Sequence, residues 1–204
     1  MEAHESNLRK LLESNIQQYI IPLFQRFYVW EKPSWERLWN DLLELLEEPS
    51  AQHTHFLGSV VVIPAPPTPG SLTQFVIIDG QQRLATLLIL LTVLRDHARQ
   101  AENAGLATEI QGTLLVNKFQ TGEGYYKLRL LQTDRIVFQG LIDARPVLTN
   151  HSLQQCYDFY DKKVQSAALD LRTLLNAIAD RLSVVTVTLA AHDNTMRTKN
   201  RSFI

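Results

Sequence analysis

One stretch of the chain, QFVIIDGQQRLATLLIL at residues 74–90, changes its hydrophobic periodicity at a single glycine. Before Gly80 the residues are β-branched and aromatic, which suits a strand, and after it the apolar residues recur at helical spacing. The sequence therefore predicts a strand that turns directly into a helix of about residues 81–101. Because this helix is apolar on most of its circumference, we expect it to be buried near the centre of the fold.

Helices and strands intermix along the rest of the chain. Residues 32–50 predict an amphipathic helix with Trp35 and Trp39 on its apolar face, and ESNLRKLLESN at residues 5–15 predicts a shorter one. The runs IQQYIIPLF, HFLGSVVVIP, TQFVIID and SVVTVTLAA predict strands. This pattern indicates an α+β or α/β fold with helices dominating the C-terminal half. We expect residues 1–204 to form one domain that is a fragment of a longer chain.

The composition excludes several classes of protein. A formal net charge of -1 provides no global basic field for nucleic acid, so any such contact must rest on a local patch. The single cysteine, Cys156, excludes an internal disulfide and a multi-cysteine zinc site, and we expect it to be buried in a helix. The first residues have no apolar stretch, so we do not expect a signal peptide there, and the longest apolar run is too short to span a bilayer. We therefore expect a cytoplasmic protein.

The predicted turn at Gly80 has the chemistry of a phosphate site. The first backbone N–H groups of a helix have no partner within the helix and lie at the positive end of its dipole, so they bind phosphate readily. Glycine allows a ligand to approach the backbone closely. Arg83, on the first helical turn, would add a bidentate positive charge.

A purely structural interpretation of the same residues is also open. Asp79 can cap the helix, and Gln82, three residues later, can complete a capping box. Gly80 is then only a turn residue, and Arg83 is a surface ion-pair partner. Spacing alone favours this second interpretation.

A second polar cluster lies in IIPLFQRFYVW at residues 20–30, where aromatic residues surround Gln25 and Arg26. Bases stack on aromatic faces and phosphates pair with arginine, so this composition suits a nucleotide or a nucleic-acid strand. The alternative is a core aromatic cluster in which Arg26 stacks on Tyr28 or Trp30.

Together the two clusters resemble the N-terminal domain of the GmrSD-type restriction proteins, whose signature is DGQQR. The segment HFLGSVVV at residues 55–62 resembles the part between the two motifs, and the resemblance extends over about residues 15–189. It departs after the leucine of the second motif, where relatives have two threonines and this chain has Ala85 and Thr86. The resemblance implies a ParB/sulfiredoxin-like fold with a mixed sheet, in which the DGQQR turn binds and hydrolyses GTP or ATP.

The resemblance also implies roles for individual residues. The residues expected to be catalytic are Asp79, Gln82 and Arg83. Those expected to bind the nucleotide are Gly80, Gln81, Gln25 and Arg26. Those expected to stack on DNA bases are Tyr28 and Trp30. Mg²⁺ is expected only with the triphosphate, since the sequence shows no dedicated set of metal ligands.

The implied partners are modified phage DNA and an HNH-type nuclease domain in the same or another chain. No HNH-type motif occurs in these 204 residues, so we expect another domain to cleave the DNA. A homo-oligomer is a further option, and no membrane partner is expected. Two other functions stay open: a DNA-modification sensor without catalysis, and a regulatory subunit held to a nuclease by the Trp35 and Trp39 helix.

For two smaller features we favour an interpretation without a functional role. His53 and His55 flank one threonine, but two metal ligands without a third favour exposed loop histidines. The basic segment MRTKNR at residues 196–201 could contact DNA, although a chain end without packed structure is the favoured interpretation.

Overall fold

The computed structural model describes residues 1–48, 53–68, 70–145 and 150–190. Within these ranges the strands are β1 (Glu2–Asn7), β2 (Gln17–Ile20), β3 (His55–Pro64), β4 (Thr73–Asp79), β5 (Leu128–Arg129) and β6 (Leu182–Thr188). The α-helices are α1 (Leu8–Leu12), α2 (Lys32–Glu47), α3 (Gln81–Gln100), α4 (Ala104–Glu109), α5 (Gln132–Ile142), α6 (Ser152–Ala167) and α7 (Leu171–Asn176). The predicted basic segment at residues 196–201 lies outside the described residues.

The strands form one mixed sheet with the order β1-β6-β3-β4-β2-β5. β4 runs antiparallel to β3 and parallel to β2, and β5 runs parallel to β2 on its other side. Since β2 and β4 are parallel, the segments that follow them leave the sheet at the same end. The architecture is α+β with a mixed sheet and a mainly helical C-terminal half, as the sequence predicted.

The helix α3 is the centre of the fold. It extends over Gln81–Gln100, close to the predicted range, and its leucines on all sides are buried. Helices α4, α5, α6 and α7 all pack against it, which explains why even Thr86 and Thr92 are buried. Each fully buried leucine contributes roughly 1.5–3 kcal/mol, so this helix supplies a large share of the hydrophobic stabilisation.

The helix α2 confirms the predicted apolar face, and it also rules out one role for that face. Trp35 is 4% exposed and Trp39 is 2% exposed, and both belong to the main hydrophobic core. A partner therefore cannot be held by these two tryptophans, and the regulatory docking predicted through this helix stays a prediction for its other faces.

The N-terminus differs from the predicted short helix. Helix α1 begins only at Leu8, because Glu2–Asn7 pair with the antiparallel strand β6 at the edge of the sheet. Asn7 ends the strand and caps the helix by accepting a hydrogen bond from the backbone N of Lys10 at 2.9 Å. Within the described residues, no helix combines the length and the apolar composition that a membrane crossing requires.

Candidate functional site

The turn between β4 and α3 strongly favours glycine. Gly80 has φ +93°, in the left-handed region, and it directly precedes the first helical residue. A Cβ atom at this position would lie 3.0 Å from the carbonyl oxygen of Ser59 and 3.1 Å from Cγ2 of Val60. The strand β3 therefore lies directly against the turn. The N-cap residue is Gly80 rather than Asp79, and glycine has no side chain that could cap the helix. The predicted capping box of Asp79 and Gln82 is therefore wrong.

The side chain of Gln82 instead holds the loop between β2 and α2, residues 21–31, which we call the motif loop. Its Oε1 accepts hydrogen bonds from the backbone N of Val29 at 2.9 Å and of Trp30 at 3.3 Å. Its Nε2 donates to the carbonyl oxygen of Phe27 at 2.9 Å. Both ends of the amide are thus engaged by the motif loop, which makes Gln82 a positioning residue.

Two further glutamine bonds join the motif loop to the β4–α3 turn. Gln81 Nε2 donates to the carbonyl oxygen of Arg26 at 3.0 Å, and Gln25 Nε2 donates to that of Ile78 at 2.8 Å. The two sequence motifs therefore form one structural unit. Between them lies a pocket of about 330 Å³. Its lining consists of Gln25, Arg26, Trp30, Asp79, Gly80, Gln81, Gln82 and Arg83.

The pocket contains the start of α3. Leu84 N donates to the carbonyl oxygen of Gly80 at 3.0 Å, which is the first bond of the helix. The three N–H groups before it, on residues 81–83, have no acceptor within the helix and carry the positive end of its dipole. No side chain in the described part of the chain caps them. Such an arrangement attracts an anion.

The guanidinium group of Arg83 is held in place on the wall of this pocket. Its Nη1 donates to the carbonyl oxygen of Ser59 at 2.9 Å, and a Cβ atom at Gly58 would lie 3.0 Å from its Nη2. Burial lowers the pKa of Arg83, and the nearby Asp79 carboxylate acts in the opposite direction. Since arginine keeps its proton in proteins, a fixed positive charge lines the pocket.

A family model described as GmrSD restriction endonuclease, N-terminal domain, matches residues 8–203. The chain belongs to this family. Comparison with curated proteins yields no significant match. Membership of the GmrSD family makes the chain part of a restriction system, and the family acts on modified DNA, usually with a nuclease domain.

Tyr28 does not lie where the sequence predicted in this GmrSD domain. It is 5% exposed, its hydroxyl lies 2.6 Å from Thr86 Oγ1, and it accepts a hydrogen bond from Trp35 Nε1 at 2.9 Å. Burial raises its pKa. The protein itself covers the ring, so Tyr28 is a core residue and the predicted stacking on DNA bases is wrong for it. Trp30 is only half-buried and borders the pocket, so its predicted role stays open.

The residues that the sequence analysis missed lie on the motif loop and behind it. Leu23 is 92% exposed, Phe24 73% and Phe27 53%. Behind the loop, the buried Asp134 accepts a hydrogen bond from Tyr28 N at 2.8 Å and lies 3.1 Å from His151 Nε2. No local pattern could have identified Asp134, because it lies 106 residues from Tyr28 in the chain.

Candidate metal ligands are few. Among the described residues, no group of three or more histidine, cysteine or acidic side chains could hold a metal ion. Asp79 is the carboxylate of the pocket lining, and it is exposed. His55 lies on strand β3 with its Nε2 3.4 Å from Asp41 Oδ2, whereas His53 is an exposed residue outside the strand.

Proposed function

We propose that this GmrSD domain binds and hydrolyses a nucleoside triphosphate and couples this hydrolysis to the sensing of modified DNA. The observation that carries the proposal is the position of Arg83. Its guanidinium, fixed by Ser59 and packed on Gly58, lines the same pocket as the uncapped start of α3. Phosphate oxygens suit both groups, because arginine supplies a bidentate charge and the helix supplies N–H donors.

Arg26 provides the second positive charge. It is exposed, it lines the pocket, and its side chain has no hydrogen-bond or ion-pair partner in the part of the chain that the structure describes. Phosphoryl transfer depends mostly on neutralising charge and positioning the nucleophile. Arg83 and Arg26 would neutralise the transferred phosphoryl group between them.

Asp79 and Gln81, rather than Gln82, would position the attacking water. Both polar atoms of the Gln82 amide hold the motif loop. Gln81 lines the pocket, and its buried Oε1 has no hydrogen-bond partner among the described residues. Asp79 would hold a water directly or through Mg²⁺. One carboxylate fits that ion, because Mg²⁺ usually binds one or two carboxylates together with substrate phosphates, whose charge it helps to neutralise.

The motif loop would carry the DNA-sensing function. It exposes Leu23, Phe24, Phe27 and Val29, the last of which is 48% exposed. Large apolar side chains beside an arginine suit an unstacked or modified nucleotide. Gln81 and Gln82 at the start of α3 hold this same loop. A shift of α3 on nucleotide binding or hydrolysis would therefore move the residues that contact DNA. Cleavage itself would belong to an HNH-type nuclease domain in the same or another chain.

The test is turnover of GTP and ATP by wild type and Arg83→Ala, with and without modified phage DNA, after circular dichroism shows that both fold. We expect Arg83→Ala to lose turnover. Arg172→Ala is the matched control. Arg172 does not line the pocket, and its Nη1 lies 2.6 Å from Glu109 Oε2. Absence of turnover in wild type under every condition would contradict hydrolysis.

A second candidate, a DNA-modification sensor without catalysis, is favoured by the exposure of Phe24 and Phe27. It predicts that affinity for modified DNA falls in Phe24→Ala and persists in Arg83→Ala. It also predicts no nucleotide turnover, so the same set of proteins separates the two functions.

A further inference from the structure

We infer that a second pocket, next to the phosphate site, binds the base of the nucleotide. The inference rests on the proposed function. This second pocket has a volume of about 200 Å³ and shares Trp30 and Arg83 with the first. A ligand whose phosphates reach Arg83 in the first pocket would therefore also border the second pocket. The volume is several times the roughly 30 Å³ that one water occupies, so it admits an aromatic ring system.

One wall of this second pocket is a single face of α2. Ser34, Arg37, Leu38 and Asp41 all line it, and their spacing of three, four and seven residues places them on one side of the helix. Leu38 is buried in the core, so the three polar residues form the accessible part of this wall.

A second wall comes from the first residues of β3. Phe56 lines the pocket and is 56% exposed, although it belongs to a strand in which Val60 and Val62 are buried. Trp30, half-buried, lines the same pocket. Exposed aromatic faces at one pocket suit a nucleobase, because any base can stack on them. The second pocket thus adds Phe56 to Trp30, the aromatic residue that it shares with the phosphate site.

Asp41 would read the edge of the base. Its Oδ2 lies 3.4 Å from His55 Nε2, and its side chain is 26% exposed. A carboxylate accepts hydrogen bonds only, so it pairs with a base edge that carries N–H donors. Guanine presents two adjacent donors there, N1–H and the 2-amino group, whereas adenine presents an acceptor at N1. The geometry points to GTP as the preferred nucleotide.

The test is the dissociation constant of GTP, ATP and inorganic triphosphate for wild type, Phe56→Ala, Asp41→Asn and Arg83→Ala. Base–aromatic stacking predicts that Phe56→Ala weakens GTP binding about tenfold and leaves inorganic triphosphate unchanged. Asp41→Asn should bring the GTP and ATP constants together. Phe119→Ala is the control, because Phe119 is 77% exposed and lies outside both pockets. Arg83→Ala should weaken all three ligands.

Three outcomes would overturn the inference. If Arg83→Ala weakens triphosphate and GTP alike but Phe56→Ala changes neither, the phosphate site stands and the base site fails. If Phe56→Ala weakens a modified single-stranded oligonucleotide without a 5′-phosphate but not GTP, the pocket belongs to DNA. If wild type binds none of the three phosphate ligands, the base site fails together with the proposed function.

Discussion

Gln82 and Val29 lie 53 residues apart in the chain, and the side-chain oxygen of Gln82 accepts a hydrogen bond from the backbone N of Val29 at 2.9 Å. This bond joins the two motifs that the sequence shows separately. Neither motif forms the pocket alone, because the motif loop supplies Gln25, Arg26 and Trp30 while the β4–α3 turn supplies the rest.

Replacing Gln82 should loosen the motif loop. Gln82→Ala removes the hydrogen bonds from Val29 N and to the carbonyl oxygen of Phe27, and each such bond contributes about 0.5–1.5 kcal/mol net. We expect the free energy of unfolding, measured by urea denaturation, to fall by about 1–3 kcal/mol. The control Gln155→Ala, at an exposed position on α6, should change it by less than about 0.5 kcal/mol. Equal effects of the two variants would show that the Gln82 amide does not hold the loop.

Two glycines separate backbone strain from steric contact. Gly80 and Gly122 both have positive φ, +93° and +58°, but only a Cβ at Gly80 meets other atoms, whereas nothing lies within 4 Å at Gly122. Gly122→Ala should therefore cost about 1–2 kcal/mol from conformation alone. Gly80→Ala should lower the free energy of unfolding by clearly more, because its Cβ would also press on Ser59 and Val60 and distort the phosphate pocket. Thermal denaturation of both variants measures the difference, and similar losses of stability would argue against close packing of β3 on the turn.

Local patterns predicted the elements around the site but not the contacts between them. The strand–turn–helix at Gly80 and the apolar face of α2 depend on residues close together in the chain, so their periodicity is visible in the sequence. The burial of Tyr28 could not be predicted, because it depends on contacts with three separate helices. These contacts are made by Trp35 on α2, Thr86 on α3 and Asp134 on α5. In the motif loop the same aromatic composition therefore yields one core residue, Tyr28, and exposed neighbours.

The N-terminal strand shows the same limit. The polar sequence of Glu2–Asn7 has no strand pattern of its own, and its conformation depends on the unpaired edge of β6, far away in the chain. Likewise, the two motifs indicated which residues line the pocket, whereas the division of labour between Gln81 and Gln82 required their hydrogen bonds.

Lys127 should make stability depend on pH. It is 1% exposed, its Nζ donates to the carbonyl oxygen of Ser14 at 2.6 Å, and burial lowers its pKa from 10.5 to about 8. Between those two values the unfolded chain keeps a proton that the folded protein has lost, so this group makes the free energy of unfolding rise with pH.

The variant Lys127→Met lacks this titration, while the other titratable groups are the same in both proteins. The stability of wild type relative to Lys127→Met should therefore increase between pH 7 and pH 10, by on the order of 1–3 kcal/mol. Urea denaturation of both proteins at several pH values measures it. A difference that does not change with pH would mean that the Lys127 charge is not desolvated.

Cys156 should be protected from thiol reagents in the folded protein. It is 0% exposed, it lies 3.5 Å from the Tyr28 hydroxyl, and burial raises its pKa to about 12. Since the thiolate is the reactive form, a chromogenic disulfide reagent at pH 8 should modify it only after denaturation. Rapid modification without denaturant would show that the core behind the motif loop opens readily, and Tyr28 could then leave its buried position.

The central claim is that phosphates bind between Arg83 and the start of α3. It is tested most directly by a crystal structure of the chain with a non-hydrolysable triphosphate at saturating concentration. We expect phosphate oxygens within hydrogen-bonding distance of the Arg83 guanidinium and of the backbone N–H groups of Gln81 and Gln82. A triphosphate that is well ordered elsewhere on the chain, with no phosphate in this pocket, would contradict the account.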